Sequence, residues 1–138
     1  MTATTTPTLT SAHNKATPSL RRTTLVVGLA AAAATTAIAA ALRAAGVSFD
    51  VDGEIPLLGF AQLTAVGAVI GGVIAAILRR FSDVPARRFV QVTAALVALS
   101  CVPSVAMPED MATKISLVAL HLVAAAIIVP VLTRQLTD

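Results

Sequence analysis

The sequence predicts an all-α membrane protein whose four transmembrane helices close into an up-down-up-down bundle. Three observations carry this prediction. Of 138 residues, 57% are apolar and only 12% charged, whereas a soluble domain carries about 25% charged residues. Four stretches lack Asp, Glu, Lys and Arg altogether: Thr23 to Leu42, Ile55 to Leu78, Phe89 to Pro108 and Ile115 to Thr133. Each is close to the roughly 20 residues that cross hydrocarbon about 30 Å thick. Lysine and arginine, finally, crowd into alternate connections, as a chain threading back and forth requires. Disordered, collagen-like and disulfide-stapled classes are excluded, because the chain is strongly apolar, has no glycine repeat and holds one cysteine, Cys101.

Charges mark the span boundaries because each costs about 2.5 to 3.5 kcal/mol at a bilayer centre. A span must also satisfy its own backbone hydrogen bonds, and apolar runs without two-residue alternation do so as helices. Residues 1–20, rich in Thr, Ser, Ala and Pro, cannot bury enough surface to offset chain entropy and are expected to form a disordered cytoplasmic tail. The remainder, 21–138, is the transmembrane domain. Its first helix is expected over 23–43, where Ala30 to Ala34 followed by Thr35 and Thr36 make it dependent on neighbouring helices. Arg21-Arg22 ahead of Ala39-Ala40-Ala41 also resembles a twin-arginine signal, but Thr23-Thr24-Leu25 matches such signals only in part.

The second helix is expected over 56–79. Asp83 before Val84-Pro85 resembles a helix start with proline in the first turn. The third helix should run over 86–102 and stop before Pro103, since proline removes a hydrogen bond and clashes with the preceding turn. The fourth should run over 110–133, opened by Pro108-Glu109-Asp110 and kinked at Pro130. Short connections make consecutive helices antiparallel neighbours.

Lys15, Arg21, Arg22, Arg79, Arg80, Arg87, Arg88 and Arg134 fall on one side, and only Arg43 and Lys114 on the other. This bias places both termini and the middle loop in the cytoplasm, and the protein in the cytoplasmic membrane. The net charge of +3 therefore reports sidedness and gives no reason to expect a nucleic-acid partner. The loop arginines could also attract anionic headgroups, at about 1 kcal/mol each. Asp50, Asp52 and Glu54, with Glu109 and Asp110, could line an acidic outer mouth, although no calcium loop is present and solvated acids are the default. With no Trp or Tyr, Phe49, Phe60, Phe81 and Phe89 are expected to act as interface anchors.

In lipid, helices associate by close backbone approach at small residues. Gly28-x-x-x-Ala32-x-x-x-Thr36-x-x-x-Ala40 and Gly67-x-x-x-Gly71-x-x-x-Ala75 form two small ridges. Both are expected to face protein, within one bundle or, alternatively, in a homo-oligomer.

His121 is the one ionisable residue inside a span, and such residues are functional candidates because burying them is costly. It lies about 9 Å below the outer surface. Thr36, Gln62 and Thr64 are expected at similar depth, with Ser100 nearer the surface and Lys114 two turns above on the same helical face. The candidate polar site is therefore His121, Gln62, Thr36 and Lys114. It is either a neutral histidine bonded to a carbonyl or hydroxyl that locks helix register, or a ligand or proton site. A metal site is disfavoured, because no second His or acid lies within two turns. No cofactor motif, nucleophile-base pair or paired carboxylates can be assembled in the spans, so an enzyme is not expected.

Leu120-His121-Leu122-Val123-Ala124-Ala125-Ala126, continuing through Ile127 to Arg134, resembles the last helix of an uncharacterised family of small actinobacterial membrane proteins. The resemblance implies a four-span bundle with a Thr/Arg-rich tail, a polar first outer loop and a basic middle loop, and implies no activity. The function expected from the sequence is a non-enzymatic interaction or assembly module of the cell envelope. The alternative is a small-solute or ion transporter, or a subunit of one, using the polar layer at His121.

Overall fold

A computed structural model of the chain describes residues 19–137. It contains α1 (Leu20–Ala44), α2 (Leu57–Phe81), α3 (Pro85–Ala106) and α4 (Met111–Arg134). All four are long and apolar enough to cross a membrane, so the chain is a multi-pass, all-α membrane protein. The expected disordered tail lies outside the described residues, apart from its last two positions.

Local chemistry explains where each helix begins and ends. The Ser19 hydroxyl accepts from the Arg22 backbone N–H at 3.4 Å and caps α1, starting it about one turn earlier than the charge boundary implied. At its other end Gly46, with φ +98°, takes a left-handed turn. There Gly46 N–H donates to the Arg43 carbonyl and Val47 N–H to the Leu42 carbonyl, the paired closure of a Schellman motif. Pro85 occupies the first turn of α3 behind Val84, whose N–H donates to the Ser82 hydroxyl at 3.3 Å.

The sequence expectation that α3 ends at 102 is corrected: the helix continues through Pro103 to Ala106. The proline lacks the N–H that would have reached the Leu99 carbonyl, a loss that a helix inside a bundle tolerates, while the Ser100 and Ser104 hydroxyls donate within the same helix to Val97 O at 2.8 Å and Ser100 O at 3.4 Å. Pro130 likewise lies inside α4, which runs on to Arg134. The Asp110 carboxylate opens α4 by accepting from the Thr113 N–H at 2.9 Å and its hydroxyl at 3.1 Å.

Helix α1 packs on α2 and α4, α3 packs on α4 and more thinly on α2, and α1 and α3 do not meet. The four helices thus form a rhombus with α2 and α4 across its short diagonal. Seven arginines, Arg21, Arg22, Arg79, Arg80, Arg87, Arg88 and Arg134, share one end. The other, acidic end carries the connections 45–56 and 107–110. Towards the arginine-rich end the core is built from Val27, Ala31, Ala68, Ala75, Phe89, Ile128, Leu132 and Leu136. Towards the acidic end it is built from Ala39, Phe49, Phe60, Leu117 and Leu120.

The closest seam joins α1 to α2. A Cβ placed on Gly28 would stand 2.9 Å from the Ala68 Cβ, and one on Gly72 would stand 2.5 Å from Thr24 Cγ2. The strip of α2 against α1 is therefore Thr64, Ala68 and Gly72. The expected Gly67-Gly71-Ala75 ridge is split. Gly71 faces Leu132 and Ile128 of α4 and Ala75 is buried, whereas Gly67 is exposed, with nothing within 4 Å of an added Cβ. The reason is that α2 sits in the angle between α1 and α4, which turns residue 67 towards thinly packed α3. On α1, Gly28 and Ala32 are buried and Thr36 and Ala40 half-buried.

The phenylalanine expectation is also corrected. Phe49, Phe60 and Phe89 are buried, and only Phe81 is exposed, with the Arg80 guanidinium 5.7 Å from its ring centroid.

Candidate functional site: the His121 cavities and the plug above them

His121 lies between two small cavities. One, of about 120 Å³, is lined by Thr35, Phe60, Thr64, Leu117, Leu120 and His121 between α1, α2 and α4. The other, of about 130 Å³, lies between α2, α3 and α4, with Gly67, Gly71, Thr93, Val97, Ala125 and His121 in its wall. Each has room for a few waters, at about 30 Å³ of liquid volume per molecule.

The imidazole Nδ1 is 2.8 Å from the Leu117 carbonyl. A carbonyl oxygen only accepts, so Nδ1 carries the proton and Nε2 remains available to whatever occupies the cavities. This bond lies within α4, so the histidine does not tie one helix to another. The tie across the cavity is instead between hydroxyls, with Thr35 Oγ1 and Thr64 Oγ1 2.9 Å apart. Thr93 spends its proton on its own helix, donating to Phe89 O at 2.7 Å.

The residues expected to form the polar site are only partly brought together. His121 lies in both walls, but Gln62 is exposed on the outer surface of α2. Lys114 is half-buried in a separate surface groove with Val105, Met111, Ile115 and Val118. Thr36 is half-buried with its hydroxyl oxygen enclosed and unpartnered among the described residues. Its neighbour Thr35 takes the place expected for it, because Thr35 lies seven residues beyond Gly28 and so shares its helical face. That spacing was the available signal for Thr35. Thr93 gave none.

Above the smaller cavity, the connection 45–56 folds into an ordered plug. Phe49, with φ +51°, is fully buried, and its ring meets Phe60 edge-on with centroids 5.0 Å apart. Such a φ is costly for a bulky residue, and the backbone is held by several bonds. Ile55 N–H donates to Phe49 O at 3.1 Å, and Gly53 N–H to Asp50 Oδ1 at 3.0 Å. Arg43 donates to the Ile55 carbonyl and pairs with Glu54 at 3.3 Å.

Outside the plug an open groove of about 520 Å³ is lined by Ser48, Asp50, Asp52, Met107, Glu109 and Asp110. Thr113 holds the Asp110 carboxyl below the usual carboxylate range through its backbone N–H and hydroxyl. Phe49 stands between groove and cavity: residues 48 and 50 line the first, and its ring covers Phe60 in the wall of the second. Among the described residues no group of three His, Cys, Asp or Glu side chains is placed to hold a metal ion.

No curated protein and no solved structure matches the chain. A family model does: residues 15–138 match that of a family of unknown function (DUF6069). The match takes in all four helices and the His121 cavities, and the chain belongs to that family.

Proposed function

From membership of a family without an assigned activity, we propose that this membrane protein is a non-enzymatic interaction or assembly module of the cytoplasmic membrane. In this reading both termini and the arginine-rich end face the cytoplasm. One observation carries it: among the described residues the spaces inside the bundle are small. The acidic end is closed by Phe49 on Phe60, and the cavities below hold about 120 and 130 Å³. The larger apolar feature is the outer surface of the bundle. There α3 is the least enclosed of the four helices and α1 the most. The test is photocrosslinking in native membranes from a reactive residue at Leu96 on α3 or Leu29 on α1, both exposed. Discrete adducts from Leu96 are expected, and none from either position would overturn the proposal.

A second reading, transport of a proton or small solute, is favoured by one feature. A histidine nitrogen without a protein partner among the described residues lies one aromatic layer below an acidic groove. Four helices would need to oligomerise or break to open a path. Proteoliposome flux that disappears in His121→Ala would establish this reading in place of the first.

A further inference from the structure

A further groove lies away from His121, on the surface where α1 meets α4 near the arginine-rich end. It is an open groove of about 560 Å³ with Arg22, Val26 and Ala30 along α1, Ile127 and Val131 along α4, and Val27 in its floor. Its wall is apolar except at the mouth, where Arg22 stands beside Thr23. We propose that this groove binds one acyl chain of an anionic glycerophospholipid, with the lipid phosphate held at the mouth by Arg22 and Arg134.

Length, charge and location support this occupant. Arg22 and Ala30 are eight residues apart, about 12 Å along the helix axis, which nearly matches the hydrocarbon depth of one leaflet, about 15 Å. The charged end of the groove thus falls at headgroup depth and the apolar part at chain depth. Arg134 lies three residues beyond Val131, one turn further towards the same end of α4. Arg22 lines the mouth on α1, and in this proposal Arg134 reaches it from α4. Both side chains belong to exposed residues, and the ion pair found among the described residues is Arg43 with Glu54, at the opposite end. A guanidinium meets phosphate oxygens through two parallel hydrogen bonds, so a pair of them selects an anionic headgroup over a zwitterionic one. A partner helix seated here would have to bring its own acids to this depth, whereas a bilayer already supplies phosphates there.

The test uses the full chain, loaded in micelles with equal amounts of dioleoyl phosphatidylglycerol and dioleoyl phosphatidylcholine and read by native mass spectrometry. Two arginines near an anionic surface should give the wild type an approximately 30-fold preference for phosphatidylglycerol. Arg22→Ala with Arg134→Ala should reduce it to near parity. Ala30→Phe, which fills the groove from an exposed position, should lower retention of both lipids, while Arg87→Ala with Arg88→Ala should leave the preference in place. Equal loss in the Arg87/Arg88 variant would replace the site with a diffuse field. Unchanged retention in Ala30→Phe would remove the acyl chain from the groove, and a Val26→Cys disulfide dimer formed in membranes would assign the groove to a second copy. Any of these overturns the proposal, and thermal unfolding of each variant confirms that the bundle is intact.

Discussion

The hydroxyl oxygens of Thr35 and Thr64 lie 2.9 Å apart and form the one side-chain hydrogen bond between helices among the described residues. The bond is unequal. Thr35 also donates to the Ala31 carbonyl at 2.9 Å, so Thr64 supplies the proton between the two hydroxyls. Thr64→Val therefore leaves Thr35 satisfied, whereas Thr35→Val strips Thr64 of its acceptor inside the cavity. Thr35→Val should cost about 1 kcal/mol and Thr64→Val about half that, the usual scale for hydrogen bonds between helices in lipid. Thermal unfolding in detergent reads the order, and the reverse order would contradict the assignment.

The glycines of the packing strips should respond with opposite signs. An added Cβ at Gly28 meets the Ala68 Cβ at 2.9 Å, a stub that cannot rotate away, while at Gly67 it meets nothing within 4 Å. Gly28→Ala should destabilise the bundle by about 1 to 3 kcal/mol through overpacking. Gly67→Ala should be neutral or stabilise it by up to about 1 kcal/mol, the helix-propensity gain. The same unfolding experiment checks both.

Removing the plug ring should both destabilise the fold and open it. Phe49 is fully buried, and Phe49→Ala should cost about 3 to 5 kcal/mol, partly offset because alanine has less bulk in a left-handed conformation. In a Cys101→Ala background, Thr64→Cys should react slowly with a membrane-impermeant thiol reagent applied from the acidic end. Adding Phe49→Ala should raise that rate. An unchanged rate would mean the ring does not seal the cavity.

Stability should depend on acid pH through Asp110. Its carboxyl is held below the ordinary carboxylate value by Thr113. Its contribution is therefore complete above the unfolded-state value and is lost as pH falls through the lower, folded-state one. Thermal midpoints should decline on acidification below about pH 4. Asparagine caps a helix nearly as well without titrating, so Asp110→Asn should flatten that part of the profile. An identical decline in the variant would assign it to other carboxylates.

The spans were legible because charge is expensive in hydrocarbon, so Arg43, Arg79 and Lys114 bracket the apolar runs whatever the tertiary structure. Facing was harder to read. When every side of a helix is apolar, the pattern does not distinguish protein from lipid. The small strip of α2 was accordingly placed on Gly67 when it runs through Ala68 and Gly72. The same ambiguity exchanged Thr36 for Thr35. Pro103 misled because the rule that proline ends helices describes water, whereas a helix inside a membrane bundle can run on through a proline. The plug was invisible because the burial of Phe49 depends on a positive φ and on Phe60, eleven positions away. His121 was found by its cost alone, and its partner within α4 follows from the four-residue repeat of a helix.

Among the described residues the closest seam joins α1 and α2, which leave the ribosome before α3 and α4. Thr24, Gly28 and Thr35 meet Gly72, Ala68 and Thr64 across a single connection, so this seam is made without the second half of the chain. It can assemble while α3 and α4 are still being synthesised. The nascent pair then presents a finished angle into which α4 docks, and α3 arrives as an outrigger held mainly by α4. Truncated messages ending after Phe81 should therefore yield a compact membrane hairpin, and a stalled chain would expose that angle to the insertion machinery.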